Sequence, residues 1–195
     1  MNRIELKPQY LIASGSTRSC YRHPDNPDRC IKIDLMQVPG VTSHKEVKYF
    51  EKLLRIRPNF DYLSIAKCYG WRETTMGAGT EHDLIRNETD GQCSQTLYEY
   101  LRKPQDSESL TKIKVAFDEF VTQLNQHCIP IRDLNHKNLC IKELANGEFR
   151  FVVVDGVGHT HLIPIIDHWR WFARRKIQCY LERFDLSPCI FSAAG

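Results

Sequence analysis

Three polar residues late in the chain have the types and spacing that phosphoryl transfer needs. Asp133 and Asn138 stand five apart in Ile131-Arg132-Asp133-Leu134-Asn135-His136-Lys137-Asn138, and Asp155 ends the apolar run Phe151-Val152-Val153-Val154. A carboxylate such as Asp133 can orient an attacking hydroxyl. A carboxamide and a second carboxylate, Asn138 and Asp155, supply oxygen donors that hold Mg²⁺ against phosphates. A carboxylate at the end of a buried strand is costly without a cation or donors. The Gly156-Val157-Gly158 that follows Asp155 suits a backbone that must bend sharply near a ligand. Taken singly, Asp133 and Asn138 also fit an Asx-rich turn, and Asp155 fits a hydrogen-bonded turn aspartate.

A cation stands earlier in the chain. Lys32 lies between isoleucines in Cys30-Ile31-Lys32-Ile33, so its ammonium must snorkel to water or find an anion. Glu46 falls in the first turn of the next predicted helix and can pair with it. Such a pair would hold the lysine within reach of nucleotide phosphates. The alternative is an edge-strand lysine in solvent and a plain capping glutamate. Gly15 sits in the turn Ala13-Ser14-Gly15-Ser16-Thr17-Arg18 that precedes this strand.

The elements that must position these groups can be read in outline. Strands are predicted over 4–12 and 19–23, then at 30–33 after the turn His23-Pro24-Asp25-Asn26-Pro27-Asp28, which gives an antiparallel meander. Ser43 with Glu46 three residues on reads as a capping box. Val47, Phe50, Leu53 and Leu54 then recur at helical spacing until Pro58. Strands are expected at 65–72 and 82–86, with the Gly-rich Met76-Gly77-Ala78-Gly79-Thr80 as their hairpin loop. The polar run 87–94 reads as a joint between a β-rich part, about 1–88, and a mainly helical part, 89–195. Helices are predicted at about 96–102 and 108–127, and a hairpin turns at Ala145-Asn146-Gly147. A last helix at about 165–184 carries Trp169, Phe172 and Tyr180 on one side and Arg170, Arg174 and Arg183 largely elsewhere. It reads as a core-packing helix with a solvated basic face. The class is α+β.

Composition narrows the function classes. The chain has 195 residues, 42% hydrophobic and 26% charged, with a formal net charge of +3. That is ordinary for a folded domain and gives no polyelectrolyte signal, so no nucleic-acid partner is expected. No apolar run approaches the ~18 residues of a membrane span, and residues 1–8 lack the apolar core of a secretory signal. A cytoplasmic location without a membrane span is expected. The eight cysteines include no C-x-x-C pair; they read as reduced, buried thiols rather than a zinc site or a disulfide framework. His159, His161 and His168 lack matching ligand spacing and read as surface or hydrogen-bonded histidines. Neither a G-x-x-x-x-G-K-[ST] loop nor a G-x-G-x-x-G fingerprint occurs, which argues against the common alternative nucleotide folds.

Lys32, Glu46, Asp133, Asn138 and Asp155 occur in the order, and in the predicted elements, that the kinase template demands. On these residues the chain resembles the protein-kinase-like superfamily. More narrowly it resembles the bacterial YrbL family of PhoP regulatory network proteins. That resemblance is carried by Gly15-Ser16-Thr17-Arg18-Ser19-Cys20-Tyr21 with His23-Pro24, Arg29-Cys30-Ile31-Lys32-Ile33, Lys45-Glu46 with Tyr49-Phe50, Asp133 to Leu139, Asp155-Gly156-Val157-Gly158 and Leu162-Ile163-Pro164-Ile165. It implies a compact bilobal kinase-like fold, with a β-rich N-lobe, a truncated, mainly helical C-lobe and an ATP-type cleft. It also implies ATP and Mg as cofactors. Gly15, Lys32 and Glu46 would serve the nucleotide, Asn138 and Asp155 the metal, and Asp133 the acceptor hydroxyl.

The departures from the kinase pattern bear on activity. Ala13 and Arg18 stand where a kinase glycine loop has its first and third glycines, which leaves only Gly15. No phenylalanine follows Asp155, and Ile131 stands where the histidine two before the aspartate would be. Forty residues follow Asp155, and they hold no Ala-Pro-Glu-like motif. Two function classes stay open: a minimal phosphotransferase acting on an unidentified hydroxyl acceptor, and a regulatory module that binds nucleotide without transfer and works through a protein partner.

Overall fold

The computed structural model describes residues 3–35, 41–59, 62–129 and 131–158, together with 175 and 178. The expected helix at 165–184, apart from positions 175 and 178, and the three histidines at 159, 161 and 168 lie outside the described residues. The chain divides into two compact units, Met1–Tyr62 with Ala66–Leu84 and Leu63–Ile65 with Ile85–Gly195. No helix among the described residues is long and apolar enough to cross a membrane.

The first unit is built on five antiparallel strands: β1 (Leu11–Ser14), β2 (Arg18–Arg22), β3 (Arg29–Asp34), β4 (Cys68–Thr74) and β5 (Gly77–Asp83), in the order β1-β2-β3-β5-β4. The expected first strand, 4–12, is broken up. Ile4 makes only an isolated bridge to Thr74, and Pro8–Tyr10 forms a short 3₁₀ turn, as a proline that fixes φ and donates no ladder bond favours. The central strand β3 is covered on both faces, so its residues 30–33 are all buried. Ile31 and Ile33 pack with Leu6 on one face, while alternation sends Cys30 and Lys32 to the other. Helix α1 (Val41–Ile56) buries Glu46, Val47 and Phe50, packs on β4, and stacks Phe50 on Tyr62 with ring centroids 6.2 Å apart.

Two local readings of this unit change. Ser43 is not the cap of α1, because the helix starts two residues earlier; its hydroxyl donates to Asp34 Oδ1 at 2.6 Å. The hairpin β4–β5 turns at Thr75-Met76, and Gly77-Ala78-Gly79-Thr80 is strand. Gly79 is small for packing, not for turning. A Cβ there would lie 2.6 Å from Ile33 Cδ1 and 2.8 Å from Ile31 Cγ2.

The second unit holds β6 (Gln95–Thr96), α2 (Leu97–Leu101), α3 (Ser107–His127), β7 (Leu139–Glu143) and β8 (Phe149–Val153), with the strands ordered β6-β7-β8. Thr96 and Glu99 form a full capping box on α2, and Asp106 caps α3 by accepting from Ser109 N. The buried stripe of α3, Ile113, Ala116, Phe117, Phe120 and Leu124, packs on β8. The Phe151 ring lies 5.5 Å from Phe117 and 6.0 Å from Phe120. Cys128 ends α3 in the left-handed conformation (φ 50°) and returns its N–H to Leu124 O. That sharp exit leads into the segment carrying Asp133.

Candidate functional site

In the second unit the three sequence-predicted polar residues lie on two segments that meet. Arg132 N donates to Gly156 O at 2.6 Å, and Ile131 bridges antiparallel to Val157. Asp155 therefore leaves β8 beside the Asp133 loop. Gly156, at φ 77°, lies against it so closely that a Cβ would sit 3.2 Å from both Asp133 N and Asp133 O. The positive φ and the close approach each require glycine. Gly156 N donates to the Asp155 carboxylate at 2.5 Å.

The loop is held by its own amides. Asn135 Oδ1 accepts from Lys137 N at 2.9 Å and Asn138 N at 3.2 Å, an Asx turn. Val154 N donates to Asn138 O at 2.9 Å, tying Asn138 to the residue before Asp155. Asn138 Nδ2 donates to both the backbone O and Oδ2 of Asp133, each at 3.1 Å. The amide nitrogen thus orients Asp133, and Oδ1 is the Asn138 atom suited to a hard cation. Asp133 is solvent-exposed, and Asp155 is half-buried. His136, between Asp133 and Asn138 in the loop, is kept easier to deprotonate than a free histidine by its burial.

Among the described residues, no three or more His, Cys, Asp or Glu side chains are grouped to hold a metal. Mg²⁺ does not need such a group. It keeps waters and takes one or two protein oxygens beside substrate phosphates. One amide oxygen and one carboxylate, from Asn138 and Asp155, fit that habit and do not suit a softer metal.

In the first unit, Gly15 lies in the β1–β2 turn, where Gly15 N donates to Arg18 O at 2.8 Å. It has no positive φ, and a Cβ there would meet Arg18 O at 3.5 Å, an ordinary contact. Lys32 is buried on β3, with Cys20 and Thr80 as its cross-strand partners. Glu46 is buried on α1, and the cation hydrogen-bonded to it is Arg18: Nη1 donates to Oε2 at 2.6 Å, with side chains 4% and 2% exposed. In the sequence Arg18 stands out only as a departure in the glycine loop. Strand alternation carries the missed signal: Arg18 pairs with Asp34 as Cys20 pairs with Lys32, so Arg18 and Lys32 share a face. Cys68 lies within the field of this charge group. Its thiol is pushed up to about 11, chiefly by burial, with Glu46 adding to the rise and Lys32 and Arg18 opposing it.

Comparison with known proteins gives the chain a family. The family described as PhoP regulatory network protein YrbL matches residues 4–187. The uncharacterised protein YrbL of Escherichia coli K12 is 29% identical over 189 residues, covering 96% of this chain and 89% of that protein; its Shigella flexneri counterpart gives the same figures. Among solved structures, the kinase domain of Mycobacterium tuberculosis PknI matches 75% of this chain with a TM-score of 0.45 at 13% identity. The match spans 56% of that domain. From its family match, the chain belongs to the PhoP regulatory network protein YrbL family.

Proposed function

We propose that this chain is a kinase-like protein that binds Mg-ATP and uses Asp133 to orient the hydroxyl of an acceptor. The observation that carries the reading is the double hydrogen bond from Asn138 to Asp133, with Gly156 packed against the Asp133 backbone. It makes one unit of the loop and the segment that bears Asp155. In this reading Asn138 and Asp155 hold Mg²⁺, which would neutralise phosphate charge. Lys32 and the Gly15 turn take phosphates. Asp133, exposed and held by Asn138, accepts a hydrogen bond from the acceptor hydroxyl. Membership of a family of PhoP regulatory network proteins supports a regulatory role.

A second reading, nucleotide binding without transfer, is favoured by one observation. Glu46 is bound by Arg18, where an active kinase pairs this glutamate with the β3 lysine. One experiment separates the readings. Melting temperature is followed with Mg-ATP, and phosphate transfer from radiolabelled ATP is assayed on the protein itself and on a lysate. Stabilisation with transfer that vanishes in Asp133→Ala supports the phosphotransferase. Stabilisation without transfer supports the binding module. No stabilisation at millimolar Mg-ATP contradicts both, because any ligand that binds only the folded state raises its stability.

A further inference from the structure

Two polar ties from α1 converge on a single cross-strand pair. Arg18 opens β2 and faces Asp34 across the β2–β3 ladder. Glu46 takes the Arg18 guanidinium at 2.6 Å, and Ser43, three residues earlier on α1, donates to Asp34 at 2.6 Å. Arg18 also closes the turn at Gly15 through its backbone carbonyl, and Leu35 N donates to Thr17 O at 2.8 Å. The β1–β2 turn and the first turns of α1 are thereby joined through one arginine and one aspartate. A guanidinium suits such a junction, because it stays charged when buried and offers a planar fork to a carboxylate. With both side chains almost fully buried, loss of either partner strands a charge.

We propose that Arg18 is the positioning residue of the first unit's phosphate site: it, and not Lys32, holds Glu46, and it fixes the Gly15 turn to α1 so that the turn is preorganised for a polyphosphate. This rests on the Mg-ATP reading above. Lys32 then acts on phosphate. A turn held in its bound shape binds a polyanion more tightly because less ordering remains to be done on binding.

Two arms test this. The first needs no nucleotide. Urea midpoints are measured for Arg18→Met, Glu46→Leu and their double variant, and for Lys32→Met alone and with Glu46→Leu. Each single change at Arg18 or Glu46 should lower the midpoint, and the double variant should recover most of the loss, while Lys32 and Glu46 should add independently. Coupling between Lys32 and Glu46 as large as that between Arg18 and Glu46, or additivity of the latter pair, would overturn the proposal. The second arm compares ligands on Arg18→Lys, with its folding checked by circular dichroism. The dissociation constant for Mg-ATP should rise about tenfold while that for adenosine moves less than about twofold. Equal losses for both ligands would reduce Arg18 to a purely structural role and overturn the proposal. If the native protein binds neither ligand, the nucleotide reading falls, and the first arm still decides which cation holds Glu46.

Discussion

The side-chain amide of Asn138 donates twice to Asp133, reaching its backbone carbonyl and its carboxylate at 3.1 Å each. The residue assigned to the metal is therefore also the one that aims the residue assigned to the acceptor. Asn138→Ala should remove an orienting donor and a metal oxygen together. Its Mg-dependent affinity for ATP should fall about 10–100-fold, as losses around metal ligands do. Adenosine, which brings no phosphate for the metal, should bind as before. Competitive titration of the two ligands checks this.

Asp133→Asn should separate binding from transfer. The amide keeps the size of the carboxylate but cannot accept a proton from a hydroxyl. Mg-ATP stabilisation should persist, and any transfer should drop by about 10²-fold or more, the usual worth of a positioned base. Quantitative autoradiography of the protein and of lysate acceptors reads the outcome.

Two glycines should behave oppositely. Gly156→Ala forces a Cβ onto a residue at φ 77° and to 3.2 Å from Asp133 backbone atoms. It should cost ~1–3 kcal/mol in urea denaturation and weaken Mg-ATP binding along with it. Gly15→Ala meets nothing closer than 3.5 Å and needs no left-handed backbone. It should leave stability within about 0.5 kcal/mol.

The cysteines give a pH-dependent prediction. Cys30 is held protonated by a hydrogen bond with Cys20 and by burial, and Cys68 chiefly by burial. Only thiolates alkylate at useful rates. In native protein at neutral to mildly basic pH, iodoacetamide should label the half-buried Cys93 well before Cys30 or Cys68, with peptide mapping as the readout. The linkage has a definite sign. Folded thiols titrating above their unfolded value of about 8.5 contribute stability that is complete below that pH and erodes as pH rises toward the folded values. Denaturation midpoints should therefore fall above about pH 9.

Much of this architecture was legible because it is local. The stripe Ile113, Ala116, Phe117, Phe120 and Leu124 announces α3, and Asn146-Gly147 announces the β7–β8 hairpin, where Gly147 has φ 79°. The spacing of Asp133, Asn138 and Asp155 was likewise readable, since each is a matter of residue type and order. The readings that failed depend on partners far away in sequence. Ser43 and Glu46 have the spacing of a capping box, but their side chains go to Asp34 and Arg18. Gly77 and Gly79 suggest a loop, yet Gly79 is small because Ile31 and Ile33 of a strand more than forty residues earlier press on it. No local pattern encodes such contacts.

The central claim is a magnesium-dependent nucleotide site that uses Asn138 and Asp155. Calorimetric titration of ATP, with and without Mg²⁺, into the native protein and into Asp155→Asn tests it most directly. The predicted result is saturable binding that needs the metal and weakens about tenfold or more in the variant. Binding that ignores Mg²⁺ and is unchanged in Asp155→Asn, or no binding heat at millimolar ATP, would contradict it.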